Sequence, residues 1–495
     1  MANRSLRALH RKRLRSLHAL RSDELDNSRL SKVRTRIAPS PTGDPHIGTA
    51  YTALFNYAYA KKNKGEFILR IEDTDRTRLV PEAEQKIIDS LNWLGLKWDE
   101  GPYRQSDRLN KYQKAAQELV EKGAAYYCDC SPDRLDKLRK EQQAKGEVPR
   151  YDRKCHLNQP KKLKEGTFVV RLKVPEEGET SFQDEIRGKI TFQNKDIDDA
   201  VILKSDSWPT YHLAVVVDDA DMKISHVIRA EEWLSSTPKH VLLYKALNRQ
   251  LPIFAHLPIL RNPDKSKISK RKNPVSISWY KDQGYLPEAL LNYLSLMGWS
   301  MPDSREKFTL KEFIENFDLG RVDPAGPVFD LQKLDWLNGE WIRGSDDSNL
   351  TDRLVNYTKR NRDQIKRVLP LVKERMKKLS DFDNLTFYFF ESKFNLDPKL
   401  LKPKNTTPVF ASKVLHHLRN SLSEVESNNW RQEDLLKVLT NEVEESGWSK
   451  TNLFQTTRYS VSGSIGTPPL DQTLEEIGKT ETINRLDAAI ELLRQ

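Results

Sequence analysis

Two short segments, far apart in the chain, carry residue types suited to a nucleoside triphosphate. The first is Arg36-Ile37-Ala38-Pro39-Ser40-Pro41-Thr42-Gly43-Asp44-Pro45-His46-Ile47-Gly48-Thr49. It reads as a strand passing through a Pro/Gly turn into a helix. His46 and Gly48 then fall at the helix N-terminus, where backbone N–H groups and the helix dipole attract phosphate. His46 is placed to donate to phosphate oxygens as charge grows on them, and Gly48 lets a nucleotide lie against bare backbone. Thr49 adds one hydroxyl donor. The second segment is Lys267-Ile268-Ser269-Lys270-Arg271. Lys267 and Lys270 supply point charges for a departing pyrophosphate, and Arg271 a forked donor. A lone His usually just caps a helix, and a Lys/Ser loop is usually solvated surface. Together the two segments point to chemistry on a triphosphate.

The three cysteines of the chain lie close together, at Cys128, Cys130 and Cys155, with His156 following the last. Two closely spaced pairs are able to close a tetrahedral zinc site with no open catalytic position. The alternative is three reduced, partly buried thiols.

The elements that must position these groups follow from hydrophobic pattern and turn residues. A strand over 33–38, a helix over 48–62 closed by Gly65, a strand over 67–71 and a helix opened by Pro81 give β-α-β-α with short links. That is a parallel, doubly wound α/β sheet. No G-x-G-x-x-G motif accompanies it, so a nicotinamide or flavin cofactor has no support. From 112 to 211 the pattern is mixed, with a helix, the cysteines, a charged stretch and strand-like runs over 168–174 and 200–204. Apolar, β-branched runs over 213–217, 224–228 and 253–260 read as strands that resume the sheet. Asp218-Asp219 reads as a turn cap after the first of these, in preference to a metal site. After about 345, helical periodicity with frequent Lys and Arg takes over, at 364–379, 409–422 and 433–445.

With 495 residues the chain is too long for one compact domain. Hydrophobic content of 37% with 31% charge excludes a disordered chain, and no apolar run approaches the ~18 residues of a membrane span. The net charge of +11 favours a polyanionic partner without choosing one. Scarce cysteine argues for a reducing compartment. Residues 1–32 read as a basic extension without stable structure on a cytoplasmic protein. The alternative is an Arg-rich, acid-poor transit peptide leading to the mitochondrial matrix.

Further segments match one known pattern: Arg70-Ile71-Glu72-Asp73-Thr74-Asp75, Pro209-Thr210-Tyr211-His212-Leu213-Ala214 and Arg229-Ala230-Glu231-Glu232-Trp233. With them, nearly everything after residue 32 resembles the bacterial-type glutamyl-tRNA synthetases of class I. The two nucleotide segments correspond to the HIGH and KMSKS signatures, here HIGT and KISKR. The resemblance implies a ligase that activates L-glutamate with ATP and Mg2+ and transfers it to tRNA(Glu), acting as a monomer. It implies a split nucleotide fold over 33–111 and 212–260, with an α+β acceptor-binding insertion over 112–211. The KISKR loop and a stem-contact region would occupy 261–345, and an all-α anticodon-binding region 346–495.

By the same resemblance, Arg36, Ala38, Ser40, Glu72, Tyr211 and Arg229 form the glutamate pocket. His46, Gly48, Thr49, Glu232, Leu260 and Lys270 attend ATP, and His46, Lys267 and Lys270 carry catalysis. Arg36 suits the side-chain carboxylate and Glu72 the ammonium. Glutamine's amide would set N–H donors against a guanidinium that has only donors, at a cost of about 1–3 kcal/mol or more. Val215 stands where some members carry Asn. Some members bind zinc through Cys-x-Cys, a Tyr and Cys-x-His; here Tyr151 precedes Cys155, and His156 is adjacent to it. Rival readings are a non-discriminating enzyme that also charges tRNA(Gln), a glutaminyl enzyme and a nucleotidylyltransferase. The helical C-terminal third tells against the last two.

Overall fold

The computed structural model describes residues 32–158, 160, 164, 166–268, 274–392 and 395–495. The expectations for residues 1–31 and for Ser269, Lys270 and Arg271 lie outside them. The chain divides into two compact units, residues to 269 with 294–328, and 270–293 with 329–495.

The first unit opens as β1 (Arg34–Ile37), α1 (Ile47–Lys62), β2 (Glu66–Ile71), α2 (Ala83–Trp93) and β3 (Glu100–Arg104). The three strands pair in parallel in the order β1-β2-β3. Helix α1 is not closed by a left-handed glycine. The left-handed residue is Lys64 (φ 50°). Gly65 is required instead by close approach, since a Cβ there would lie 2.2 Å from the Val33 carbonyl oxygen. Pro81 likewise does not open α2: it lies in the preceding turn, and left-handed Glu82 (φ 65°) leads into the helix.

After α3 (Leu109–Glu121), strands β4 (Ala125–Cys128), β5 (Val169–Leu172) and β8 (Val201–Leu203) make a separate antiparallel sheet. Between them, β6 (Glu179–Asp184) and β7 (Gly188–Gln193) form a hairpin that leaves this sheet and joins the larger one. Asp184 fastens it there. Its Oδ1 accepts the N–H of Ile186 and Arg187, and its Oδ2 accepts the N–H of His256.

The run over 213–217 is not a strand. It lies in α5 (Tyr211–Asp221), whose Leu213, Ala214, Val215 and Val216 are buried with Tyr112, Ala115, Ala116 and Leu119 of α3. A short apolar run does not by itself distinguish a buried helix from a strand, and here packing overrides the β-branched preference. The sheet resumes with β9 (His226–Ala230) and, after α6 (Thr237–Ala246), β10 (Ile253–Leu257). They pair in parallel, in the order β7-β6-β10-β9. Ser225, just before β9, stitches the two sheets together: its N–H donates to the Arg34 carbonyl (3.0 Å), and its Oγ accepts the Arg34 N–H (2.8 Å). Strand order therefore reverses between β1 and β9, and the crevice beyond their carboxyl ends is where doubly wound sheets bind ligands.

The second unit has no strand among its described residues. One core gathers Leu286, Ile342, Leu354, Ile365, Leu369 and Phe382; another gathers Leu415, Leu418, Leu439, Leu453, Leu474 and Leu486. The helix expected over 364–379 runs Arg362–Val372 and is followed by a 3-10 turn, Lys373–Arg375. No described helix is long and apolar enough to cross a membrane.

Candidate active site

A cleft of about 360 Å³ opens at the β1/β9 reversal. Its lining includes Arg36, Ala38, Ser40, His46, Gly48, Thr49, Glu72, Tyr211, Arg229, Glu232, Leu260 and Lys267, which brings together every expected amino-acid and nucleotide residue that is described. Val215 lies in the core and outside the cleft lining.

His46 is the N-cap of α1. Its Nδ1 accepts the Gly48 N–H at 2.9 Å, which places the imidazole proton on Nε2. Capping and phosphate donation are thus compatible: one nitrogen fixes the ring while the other carries the proton. Gly48 keeps that cap in register, since a Cβ there would meet His46 Nδ1 at 3.1 Å.

Arg36, 4% exposed, ends β1 against a buried carboxylate. Its Nε donates to Asp219 Oδ1 (3.1 Å) and its Nη2 to Oδ2 (3.3 Å). Arg70, fully buried on β2, donates through Nη1 to the same Asp219 Oδ1 (2.7 Å) and through Nη2 to Glu72 Oε1 (3.0 Å). Burial alone would raise Asp219, but the Arg36 and Arg70 charges hold its carboxyl below the usual range. Glu72 goes the other way, lifted by burial that Arg70 and Arg36 only partly offset. Asp218 is occupied too, accepting from Arg108 Nε (2.7 Å), Tyr112 Oη (2.8 Å) and Gln105 Nε2 (2.9 Å). The aspartate pair is therefore neither a turn cap nor a metal site. It is a buried anion pair inside α5, committed to guanidinium partners.

Arg229 on β9 is held by a different shell. Its Nε donates to His256 Nε2 (3.1 Å), its Nη1 to Tyr211 Oη (3.1 Å) and to His240 Nδ1 (3.2 Å), and its Nη2 to Thr237 Oγ1 (2.8 Å). Because His256 Nε2 accepts, its proton is on Nδ1 and goes to Asp184 Oδ2 (2.6 Å). Burial pushes His256 down to about 4, with Asp184 pulling the other way, so a neutral imidazole cradles the guanidinium. Tyr211, the first residue of α5, stacks near Trp233 with 4.2 Å between ring centroids.

The KISKR segment begins as a tight return. Asn262 N–H donates to the Ser266 carbonyl (2.8 Å), left-handed Lys265 (φ 65°) turns the chain, and Ile268 N–H donates to the Leu260 carbonyl (3.0 Å). This folds Lys267 back over the cleft, where its Nζ ion-pairs with Glu232.

Away from the cleft, the sulfurs of Cys128, Cys130 and Cys155 lie within 4.8 Å of one another. The Tyr151 hydroxyl is 3.3 Å from Cys128 Sγ and 3.4 Å from Cys130 Sγ, and it accepts the Cys155 N–H at 3.0 Å. His156 does not join them. It follows Cys155 on the single turn Lys154–Leu157, where neighbours project about 100° apart. Its ring stacks on Tyr126, 5.3 Å between centroids, and its buried Nδ1 has no hydrogen-bond partner. The set that fits a tetrahedral ion is three sulfurs and the Tyr151 oxygen.

The supporting roles of three residues escaped the reading of the chain: Arg70, quoted only within a matching segment, Asp219, read as a turn cap, and Asp184. For the first two a signal existed, an ionisable residue inside an apolar run (Glu66–Ile71 and 213–219), which buried charge tolerates only with a partner.

Residues 32–336 match the family described as tRNA synthetases class I (E and Q), catalytic domain. The chain belongs to this family. Residues 349–490 of this class I synthetase match a second family, described as an anticodon binding domain. Over its length the synthetase is similar to a protein named glutamate–tRNA ligase from Acinetobacter baumannii (strain AYE), 46% identical, covering 93% of this chain and 94% of that protein. The ligase of the same name from Cellvibrio japonicus (strain Ueda107) is 47% identical, covering 94% of each. Among solved structures, the glutamate tRNA ligase of Elizabethkingia meningosepticum in complex with its amino acid matches with a TM-score of 0.82. It is 34% identical, covering 94% of this chain and all of that one. The fold is thus that of the class I synthetases, a parallel-sheet α/β unit followed by a helical anticodon-binding region.

Proposed function

We propose that this chain is a glutamate–tRNA ligase. One oxygen of the glutamate α-carboxylate attacks the α-phosphorus of ATP, pyrophosphate leaves, and the terminal ribose hydroxyl of tRNA(Glu) then attacks the acyl carbon and releases AMP. The observation that carries this reading is the cleft itself. It sets two guanidiniums and the Glu72 carboxylate beside a helix N-terminus, matching an amino acid with two carboxylates and an ammonium next to a phosphate chain. Similarity along nearly the full length, at 46% and 47% identity, to proteins of that name supports it.

In this reading Arg36 receives the side-chain carboxylate and Glu72 the ammonium, while Tyr211 and Arg229 frame the α-carboxylate. Ala38 and Ser40 supply the turn against which the substrate lies. His46 Nε2–H, Thr49 and the KISKR lysines Lys267 and Lys270 steady phosphate charge. Gly48, Glu232 and Leu260 bound the nucleotide. Positioning and fixed charge do the catalytic work, because no covalent intermediate with the protein is needed. Mg2+ would come with ATP and be held by phosphates and water, since Asp218 and Asp219 are taken by arginines. Zinc would be held by Cys128, Cys130, Cys155 and Tyr151, with a purely structural role. The helical unit would bind the anticodon arm, with affinity that falls steeply with salt. We place the enzyme in the cytoplasm as a monomer.

The test is ATP–pyrophosphate exchange with the full chain. Exchange with glutamate that needs added tRNA(Glu) is expected. Equal exchange with glutamine, or none with glutamate in the presence of tRNA, would overturn the assignment. Lys267→Ala should lower kcat and kcat/KM together by roughly 10- to 100-fold, because the charge it meets grows only as pyrophosphate leaves.

A further inference from the structure

The two arginines of the cleft differ in how many donors their surroundings leave them. A guanidinium carries five N–H groups. Around Arg229, His256, Tyr211, His240 and Thr237 account for four, so one remains for a ligand. Around Arg36, Asp219 takes the Nε–H and one Nη2–H. The whole Nη1 amino group and the second Nη2 hydrogen remain on a residue that lines the cleft. Asp219 itself, 2% exposed, does not line it.

Resting on the glutamate reading above, we infer that Asp219 is a positioning residue. It fixes which edge of Arg36 meets the substrate, and so determines the preference for a side-chain carboxylate over an amide. Two physical arguments converge. An arginine and a glutamate sharing a low-dielectric cleft attract each other, and Arg36 is close enough to Glu72 to act on its carboxyl. If they paired, the cation meant for the substrate carboxylate and the anion meant for its ammonium would quench one another. Asp219 prevents this from one side by clamping Arg36, and Arg70 from the other by clamping Glu72 while bridging back to Asp219. A clamped guanidinium also offers a fixed, forked set of donors. A carboxylate satisfies that fork, whereas an amide leaves part of it unpaired. A guanidinium free to turn could find the amide oxygen alone and would discriminate less.

The test is tRNA-dependent pyrophosphate exchange by the full-length enzyme, with KM and kcat for glutamate, glutamine and ATP in four forms: wild type, Asp219→Asn, Arg36→Gln and the double variant. Asp219→Asn should raise KM for glutamate by roughly tenfold or more and narrow the glutamate-over-glutamine ratio by a similar factor, with KM for ATP within about twofold. In the Arg36→Gln background the same change should add less than about twofold, because Asp219 acts through Arg36. Should Asp219→Asn fail to fold, Asp219→Glu keeps the buried charge but displaces the clamp, and it should show the same loss of selectivity. An unchanged glutamate KM and selectivity in either variant overturns the positioning role. So does a loss that is fully additive with Arg36→Gln, or one confined to kcat. A wild type that does not use glutamate overturns the functional reading as well, so the two failures are distinguishable.

Discussion

In and just behind the cleft, charged groups from four separated elements, β1, β2, α5 and β9, are held by protein partners. Arg36, Arg70, Glu72 and Asp219 sit in ion pairs of 2.7–3.1 Å, and Arg229 is enclosed by hydrogen-bond acceptors. In the cysteine cluster, three thiols from a much shorter stretch face one another around the Tyr151 hydroxyl. Their cationic neighbours are Arg134, whose Nη1 is 3.5 Å from Cys130 Sγ, and Arg171, stacked 3.9 Å over the Tyr151 ring. The first arrangement is preorganised: each group is fixed by its own protein partners. The second converges electron-rich atoms, three sulfurs and a phenol oxygen, a donor set that a bound zinc would complete.

The comparison is broken most severely by Arg36→Gln. The change removes the cation proposed to meet the substrate's side-chain carboxylate and also strips Asp219 of one counter-ion, a loss of about 3–5 kcal/mol for a buried pair. Glutamate activation in pyrophosphate exchange should fall by two to three orders of magnitude, with ATP affinity, read by equilibrium dialysis, nearly unchanged. On the cysteine side, Cys130→Ser should abolish zinc measured by elemental analysis, expected at about one per chain in the unaltered protein. It should reduce tRNA charging more than tRNA-dependent adenylate formation. Zinc at full stoichiometry in Cys130→Ser, or none in protein purified without chelators, would leave three ordinary thiols.

Acid should separate the regions more gently. Burial lowers His212, His226 and His256 to about 4, below the ordinary 6.5. Between those values the unfolded chain binds more protons than the folded one, so stability is full above about pH 6.5 and declines toward pH 4. Thermal melts should show the midpoint dropping across that window, and His212→Gln should shallow the slope. A melting temperature independent of pH from 6.5 to 4.5 would contradict neutral burial of these rings. The smallest effect is expected for His156→Phe. The stacked ring is replaced by one of similar shape and the three sulfurs are untouched, so zinc content should stay at the unaltered level. Loss of zinc in that variant would return His156 to the ligand set.

Ala38, Ser40, Tyr211, Arg229, Glu232 and Leu260 came through the family resemblance, but part of the cleft was legible in the chain because its residues sit at local landmarks, a strand end and a helix start, whose geometry nearby residues dictate. His46 at a helix N-terminus and Arg36 at the end of β1 are of this kind. What supports them was not, because it arises from pairings across long separations. Asp219 meets Arg36 from 183 residues away and Asp184 meets His256 from 72; an acid at the end of an apolar run signals that Asp219 needs a partner, but no local pattern names which residue either will meet. The misread helix α5 has the same origin: β-branched residues signal a strand locally, and burial against α3 decides otherwise. His156 failed for a simpler reason. Adjacency in sequence looked like proximity, and one turn of helix rotates the side chain away.

Asp184 has a consequence for anyone treating the segment between β3 and α5 as a transferable cassette. It belongs to a hairpin inside that segment, yet it accepts the hydrogen bond of His256 Nδ1–H, whose other nitrogen accepts one from Arg229. Exchange the segment for one from a relative without an acid at that place, and the buried imidazole is left either with an unpaired Nδ1–H or with its proton on Nε2, facing a guanidinium that has only protons to offer. The graft could fold as the original does and still disturb the cleft of the host, the proposed amino-acid pocket. The boundary for cutting lies inside the segment, around β4, β5 and β8, with the hairpin left behind as part of the recipient.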